Sequence, residues 1–131
     1  MPHARILKDE PEWDALWAAQ KDAAAPRLLI FKKSPICPTS HWVEETFNKF
    51  IGELSGAQAQ DLNIVSVDVV NQRTLSRKIA ADTGVTHQSP QAVLIAPGGK
   101  VAWHASHGDV DEDALAKALL ADANGPHRTE V

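Results

Sequence analysis

The stretch from Arg27 to Leu54 constrains the fold of this chain more than any other. Pro26 breaks the pattern before it, and Arg27-Leu28-Leu29-Ile30-Phe31-Lys32 then reads as a buried strand. Ser34-Pro35-Ile36-Cys37-Pro38 makes a turn. Beyond it Val43, Phe47, Phe50, Ile51 and Leu54 fall at i, i+4, i+7, i+8 and i+11, which is one face of a helix. A buried strand that runs through a turn into an amphipathic helix calls for a sheet covered by helices.

The flanking segments supply the rest of that sheet. His3 to Lys8 is a short first strand. Asp9 and Glu12 stand at capping-box spacing, with Pro11 in the first turn, ahead of a helix whose apolar stripe is Trp13, Leu16 and Trp17. Asn63 to Val69 alternates and is β-branched, as a strand would be. Asn71 can cap a helix carrying Leu75 and Ile79, which Gly84 ends. Ala92 to Ile95 and Val101 to Trp103 form a hairpin around Pro97-Gly98-Gly99-Lys100. The last helix opens with Asp109 and Glu112 at capping-box spacing, carries Leu115 and Leu119 inward, and stops at Asn124-Gly125-Pro126. Crossover helices make the early strands parallel, whereas a hairpin makes the last two antiparallel. The expected class is α/β, a mixed central sheet with helices on both faces. The thioredoxin-like fold has this order, and the order alone leaves other small α/β folds open. One domain over residues 1–122 is expected, with a loose tail over 123–131.

The 131 residues suffice for one domain with a hydrophobic core. The net charge of −4 lacks the basic excess of a general nucleic-acid binder. No apolar run approaches a membrane span, and the first residues do not read as a signal peptide. A single cysteine cannot form an internal disulfide and survives best in a reducing compartment, so the expected location is cytoplasmic, with no nucleic-acid or membrane partner.

That cysteine carries the strongest chemical signal. Proline is favoured at the first helical position, so Pro38 places Cys37 at the N-cap. There the sulfur is expected to face the free backbone N–H groups of Thr39 and Ser40 and the positive end of the helix dipole, both of which favour thiolate over thiol. Lys32 and Lys33 add positive potential, and the Ser40 hydroxyl is positioned to donate to the sulfur. A C-x-x-C pair would put a second thiol at position 40. With serine there, a mixed disulfide at Cys37 must be resolved by an external thiol. A lone cysteine is commonly a buried hydrophobe. The strand, turn, Cys-Pro and amphipathic helix in succession favour a reactive thiol instead.

Lys33-Ser34-Pro35-Ile36-Cys37-Pro38-Thr39-Ser40, His87-Gln88-Ser89-Pro90-Gln91 and Trp103-His104-Ala105-Ser106-His107 together resemble the monothiol bacilliredoxin family, in family order and across nearly the whole domain. The resemblance implies a thioredoxin-like fold and a thiol-disulfide oxidoreductase that removes bacillithiol from protein mixed disulfides. The family cysteine maps onto Cys37 and the serine of its C-P-x-S motif onto Ser40. Ser89-Pro90 matches the cis-proline loop, so Pro90 is expected to be cis and to face Cys37, with Ser89 offering its backbone to a substrate strand. No bound cofactor is implied. Bacillithiol is the co-substrate, and bacillithiolated proteins and a low-molecular-weight thiol are the partners. The family usually reads T-C-P-I-S. Here Ile36 and Thr39 exchange those places, which changes the polarity beside the sulfur.

Trp42 lies off the main helix stripe and is expected beside the cysteine as a substrate contact. His87 and His41 are candidates for the rim of the site. His104 and His107, three apart with Asp109 near, invite a metal, but no further cluster completes four ligands, so no metal is expected. Trp13 and Trp17 read as packing, and Arg73, Arg77 and Lys78 as the wet face of a helix. Two other functions compete. An iron–sulfur carrier like the monothiol glutaredoxins would want glycine and phenylalanine in place of Pro38 and Thr39. A binding module without redox activity would keep the fold alone.

Overall fold

The computed structural model describes residues 3–123. In chain order the elements are β1 (Arg5–Ile6), α1 (Glu10–Gln20), β2 (Arg27–Lys33), α2 (Pro38–Gly52), α3 (Gly56–Ala59), β3 (Leu62–Asp68), α4 (Arg73–Thr83), β4 (Gln91–Ala96), β5 (Lys100–Ser106) and α5 (Glu112–Ala123), with a 3-10 turn at His107–Asp109 before α5. The strands lie in the order β1-β3-β2-β4-β5. The first three are parallel, and β4 and β5 run antiparallel to their neighbours. This is the mixed sheet with helices on both faces expected from the sequence. Apart from Ala123 in α5, the expected tail lies outside the described residues, as does the Asn124-Gly125-Pro126 helix stop.

Side chains on β2 alternate between two cores. Leu29 and Phe31 meet Val43, Phe47, Phe50 and Ile51 of α2 and Leu115 and Leu119 of α5. Leu28 and Ile30 face the other way, toward Trp13 of α1 and Leu75 and Ile79 of α4. Phe31 and Phe47 stack with centroids 4.4 Å apart and planes 11° from parallel, which fixes the helix beside the strand end. Burying each of these large side chains stabilises the fold by about 2–3 kcal/mol.

Local details depart from expectation in instructive ways. Asp9 caps α1 by accepting from the Glu12 N–H, but the Glu12 carboxylate reaches back one residue further, to the Lys8 N–H. Asn71 does not cap α4. Its N–H and side-chain amide both donate to the Asp68 carboxylate, which also accepts from the Val70 N–H, and the helix starts two residues later. Asp109 belongs to the 3-10 turn, and Asp111 instead accepts from the Ala114 N–H at the start of α5. The short α3 is unforeseen, although Ser55 and Gln58 form a full capping box. Gly84 ends α4 at φ +77°, a left-handed conformation that favours glycine.

Candidate active site

Cys37 stands where β2 has left the sheet and α2 begins. It is the N-cap of α2 with extended backbone, and Pro38 is the first helical residue. The cysteine is partly exposed and free. Its loop is held on both sides: the Cys37 N–H donates to the Ser34 carbonyl and the His41 N–H to the Cys37 carbonyl. The expected cap bond from Thr39 or Ser40 to the sulfur is not formed, for the Cys37 side chain accepts no capping hydrogen bond.

Ser40 stands where a C-x-x-C motif has its second cysteine and is fully buried. Its hydroxyl oxygen accepts from the Ser34 N–H at 2.8 Å, so it ties the turn to the helix. Lys33 also has another partner. Its ammonium lies 2.9 Å from the Glu44 carboxylate, in the second turn of α2. Lys32, expected to add potential near the thiol, is 1% exposed and on the opposite face of the sheet. Adjacent residues on a strand point to opposite faces, and this separates the two lysines.

Lys32 enters a small polar cluster with α4 and the segment after it. Its ammonium donates to the Ser76 carbonyl at 3.2 Å and lies 3.4 Å from His87 Nδ1, which the Ser76 hydroxyl also approaches at 3.1 Å. Burial lowers the Lys32 pKa to about 8. His87 is lowered too, first by burial and then by the positive charges of Lys32 and Arg77. His87 is thus turned toward the cluster, its ring held through Nδ1.

The Ser89-Pro90 peptide is cis. It precedes Gln91, which pairs with Lys32 across the β2–β4 ladder, so the proline loop and the cysteine loop leave adjacent strands at the same end of the sheet. The Ser89 hydroxyl and Gln91 Oε1, on either side of Pro90, are both buried without a hydrogen-bond partner. The Pro90 carbonyl accepts from the His107 N–H at 2.7 Å, binding the proline loop to the turn after β5.

Two large apolar side chains stand exposed at the start of α2 and in the turn before it. Ile36 is 78% and Trp42 75% exposed, unusual for such large side chains. Trp42 borders one cleft with Pro38, Thr39 and His41, and a second with Val43, Gly108, Val110 and Asp111. His41 lies 3.6 Å from Glu45 on the outside of the helix. Trp13 stacks on Trp17 and donates its indole N–H to Asp82, in keeping with packing. Among the described residues no group of three His, Cys, Asp or Glu side chains is arranged to hold a metal, and no helix is long and apolar enough to cross a membrane. Ile36, Gln88, Gln91 and Ser106 were not singled out from the sequence as site residues. Their exposure or unpartnered atoms become visible only once the chain is folded.

A single free cysteine at the head of a helix, next to a cis-proline loop on a five-stranded mixed sheet, defines a thioredoxin-fold thiol oxidoreductase. Solved structures agree. One, assigned as an oxidoreductase with a thioredoxin fold, is 30% identical with a TM-score of 0.69, over 88% of this chain and 92% of that one. The thioredoxin of Malassezia sympodialis shares the fold at 12% identity and TM-score 0.69, over 94% and 93% of the two chains. That of Fasciola hepatica does so at 17% and 0.63, over 89% and 97%. The chain matches the monothiol bacilliredoxin BrxC over residues 5–115, and it belongs to that family.

Proposed function

We propose that this protein removes bacillithiol from protein mixed disulfides. The Cys37 thiolate attacks the bacillithiol sulfur of the mixed disulfide. A Cys37–bacillithiol disulfide forms, the protein–bacillithiol S–S bond breaks, and the substrate protein leaves as a thiolate that takes a proton from water. No net oxidation occurs, since one disulfide replaces another. The observation that carries this reading is Ser40: the place of a resolving thiol is filled by a buried hydroxyl already bonded to Ser34. The loaded cysteine then needs a second, external thiol to release it.

The exposed Ile36, next to Cys37 in the chain, and Trp42, which shares a cleft with Pro38 and Thr39, support a protein substrate by offering apolar contact surface at the head of α2. Ser89, beside the cis-proline, is the candidate backbone partner for an extended segment of that substrate, and His87 a candidate rim contact. A reducing, cytoplasmic setting suits such a thiol. Intact-mass analysis after mixing with a bacillithiolated protein tests the reading. The wild type is expected to gain one bacillithiol and Cys37→Ala none. Absence of the adduct on wild type, or equal turnover by the variant, rejects it.

A further inference from the structure

Two clefts meet at Trp42. The first is bordered by Pro38 and Thr39, the residues that follow Cys37. The second, of about 390 Å³, lies between α2 and the segment that leads into α5. Buried Val43 and Val110 give it apolar walls, and exposed Glu45 and Asp111 add two carboxylates. Pro38, Trp42 and Glu45 fall at i, i+4 and i+7, so one face of α2 runs from the thiol end into this second cleft.

The charge on those two carboxylates is not neutralised within the fold. Glu44, the neighbour of Glu45, is paired with Lys33, and Glu112, the neighbour of Asp111, with Lys49 at 3.7 Å. Among the described residues no lysine or arginine pairs with Glu45 or Asp111. The Glu45 side chain is 67% exposed and meets His41 at 3.6 Å, an exposed contact that contributes little. Asp111 accepts the Ala114 N–H through Oδ1, which leaves Oδ2 for a partner. An exposed aromatic ring and apolar walls beside two such carboxylates match a long aliphatic stem that ends in a cation. The stem packs on the valines and the indole, and the cation meets the ring face and the carboxylates. An acidic segment would set like charges together, and the net charge of −4 opposes it too.

We propose that this cleft selects a lysine or arginine of the substrate protein close to its modified cysteine. The proposal rests on the exchange proposed at Cys37 and adds which substrates that exchange prefers. Glu45 lies seven residues beyond Pro38, about 10 Å along the helix axis, and about three residues of extended chain span that distance. The favoured substrates therefore carry the basic residue about three positions from the disulfide.

Two peptides with bacillithiol on a single cysteine test the cleft. One has arginine about three residues to either side of the cysteine, the other glutamine at both places. The readout is the ratio of their second-order rates of peptide-thiol release in a single turnover. The wild type is expected to favour the arginine peptide about fivefold at low salt and less than about twofold in about 0.5 M salt. Combining Glu45→Gln with Asp111→Asn is expected to bring the low-salt ratio below about two. Asparagine at 111 can still accept the Ala114 N–H, and Glu45→Gln alone, at an exposed position, is expected to halve the ratio roughly should the pair not fold. A wild-type ratio near one, or a ratio that the variants leave unchanged, overturns the proposal. So does a doubling of mass with protein concentration that Trp42→Ala abolishes, because a second copy then covers the cleft. If neither peptide releases its thiol, the exchange reading falls, and peptides with serine in place of cysteine decide the cleft. The arginine peptide is then expected to shift the Trp42 indole NMR signal saturably, with the glutamine peptide binding about fivefold more weakly. Equal responses overturn the cleft as well.

Discussion

The ammonium of Lys32 lies 3.4 Å from Nδ1 of His87, and the two meet beneath the cis-proline loop on the face of the sheet away from the thiol helix. An ammonium can only donate, so its proximity favours the tautomer in which Nδ1 accepts and the ring proton sits on Nε2, with the Ser76 hydroxyl at 3.1 Å then donating to the same nitrogen. A buried lysine thereby biases the tautomer of an exposed histidine.

The first consequence concerns stability against pH. Burial holds the Lys32 pKa at about 8 in the folded protein, against 10.5 for an ordinary lysine. Between those values the unfolded chain holds a proton that the folded chain has released, so stability rises with pH across the window. Below about 8 the lysine is charged in both states and its burial cost is felt in full. The gain is about 2 kcal/mol, the full shift discounted for solvent reaching the ammonium beside His87. Urea denaturation at intervals from pH 7 to 10.5 should show this slope in the wild type and its loss in Lys32→Met.

The second concerns His87 itself. Its pKa is lowered by burial and then by Lys32 and Arg77, so the ring is neutral at pH 7. An NMR titration of the ring should give a midpoint below 6.5, the ordinary value. In Lys32→Met the midpoint should rise without reaching that value, since burial and Arg77 remain. Nitrogen shifts should place the proton on Nε2 in the wild type.

Ser40→Ala removes the acceptor for the Ser34 N–H at a fully buried position. The expected loss is about 1–2 kcal/mol in denaturant unfolding. Labelling of Cys37 by iodoacetamide should persist, because the Ser40 hydroxyl is bonded to the turn.

Trp42→Ala should separate stability from substrate contact. Trp42 is 75% exposed, so unfolding should change by no more than about 0.5 kcal/mol. Turnover of a bacillithiolated protein should fall about tenfold, chiefly through KM, as expected when an exposed aromatic anchor is lost. Unchanged KM would remove Trp42 from the substrate surface.

Much of this was legible in the sequence because it is local. Pro26, the apolar run to Phe31, the Cys37-Pro38 step and Gly84 each act within a few residues, and the elements begin or end where they indicate. The fates of Lys32 and Lys33 were less legible. Alternation predicts that they separate, but only the packing of α4 and the position of Glu44 decide which is buried and which is paired. Asn71 and Asp109 look like caps by spacing, yet nearby Asp68 and Asp111 carboxylates take the backbone donors first. Gln91 was named only within a motif. Its burial follows from the place of β4 between two neighbouring strands, which no local pattern encodes.

The turn that carries the thiol is closed by three hydrogen bonds: Ser34 N–H to Ser40 Oγ, Cys37 N–H to Ser34 O, and His41 N–H to Cys37 O. The conformational entropy of this loop is therefore surrendered once, as the chain folds, and not again at each encounter with a disulfide. A partner has to bring its sulfur to a loop already held in place, so differences in rate among partners should reflect their own flexibility more than any rearrangement at Cys37.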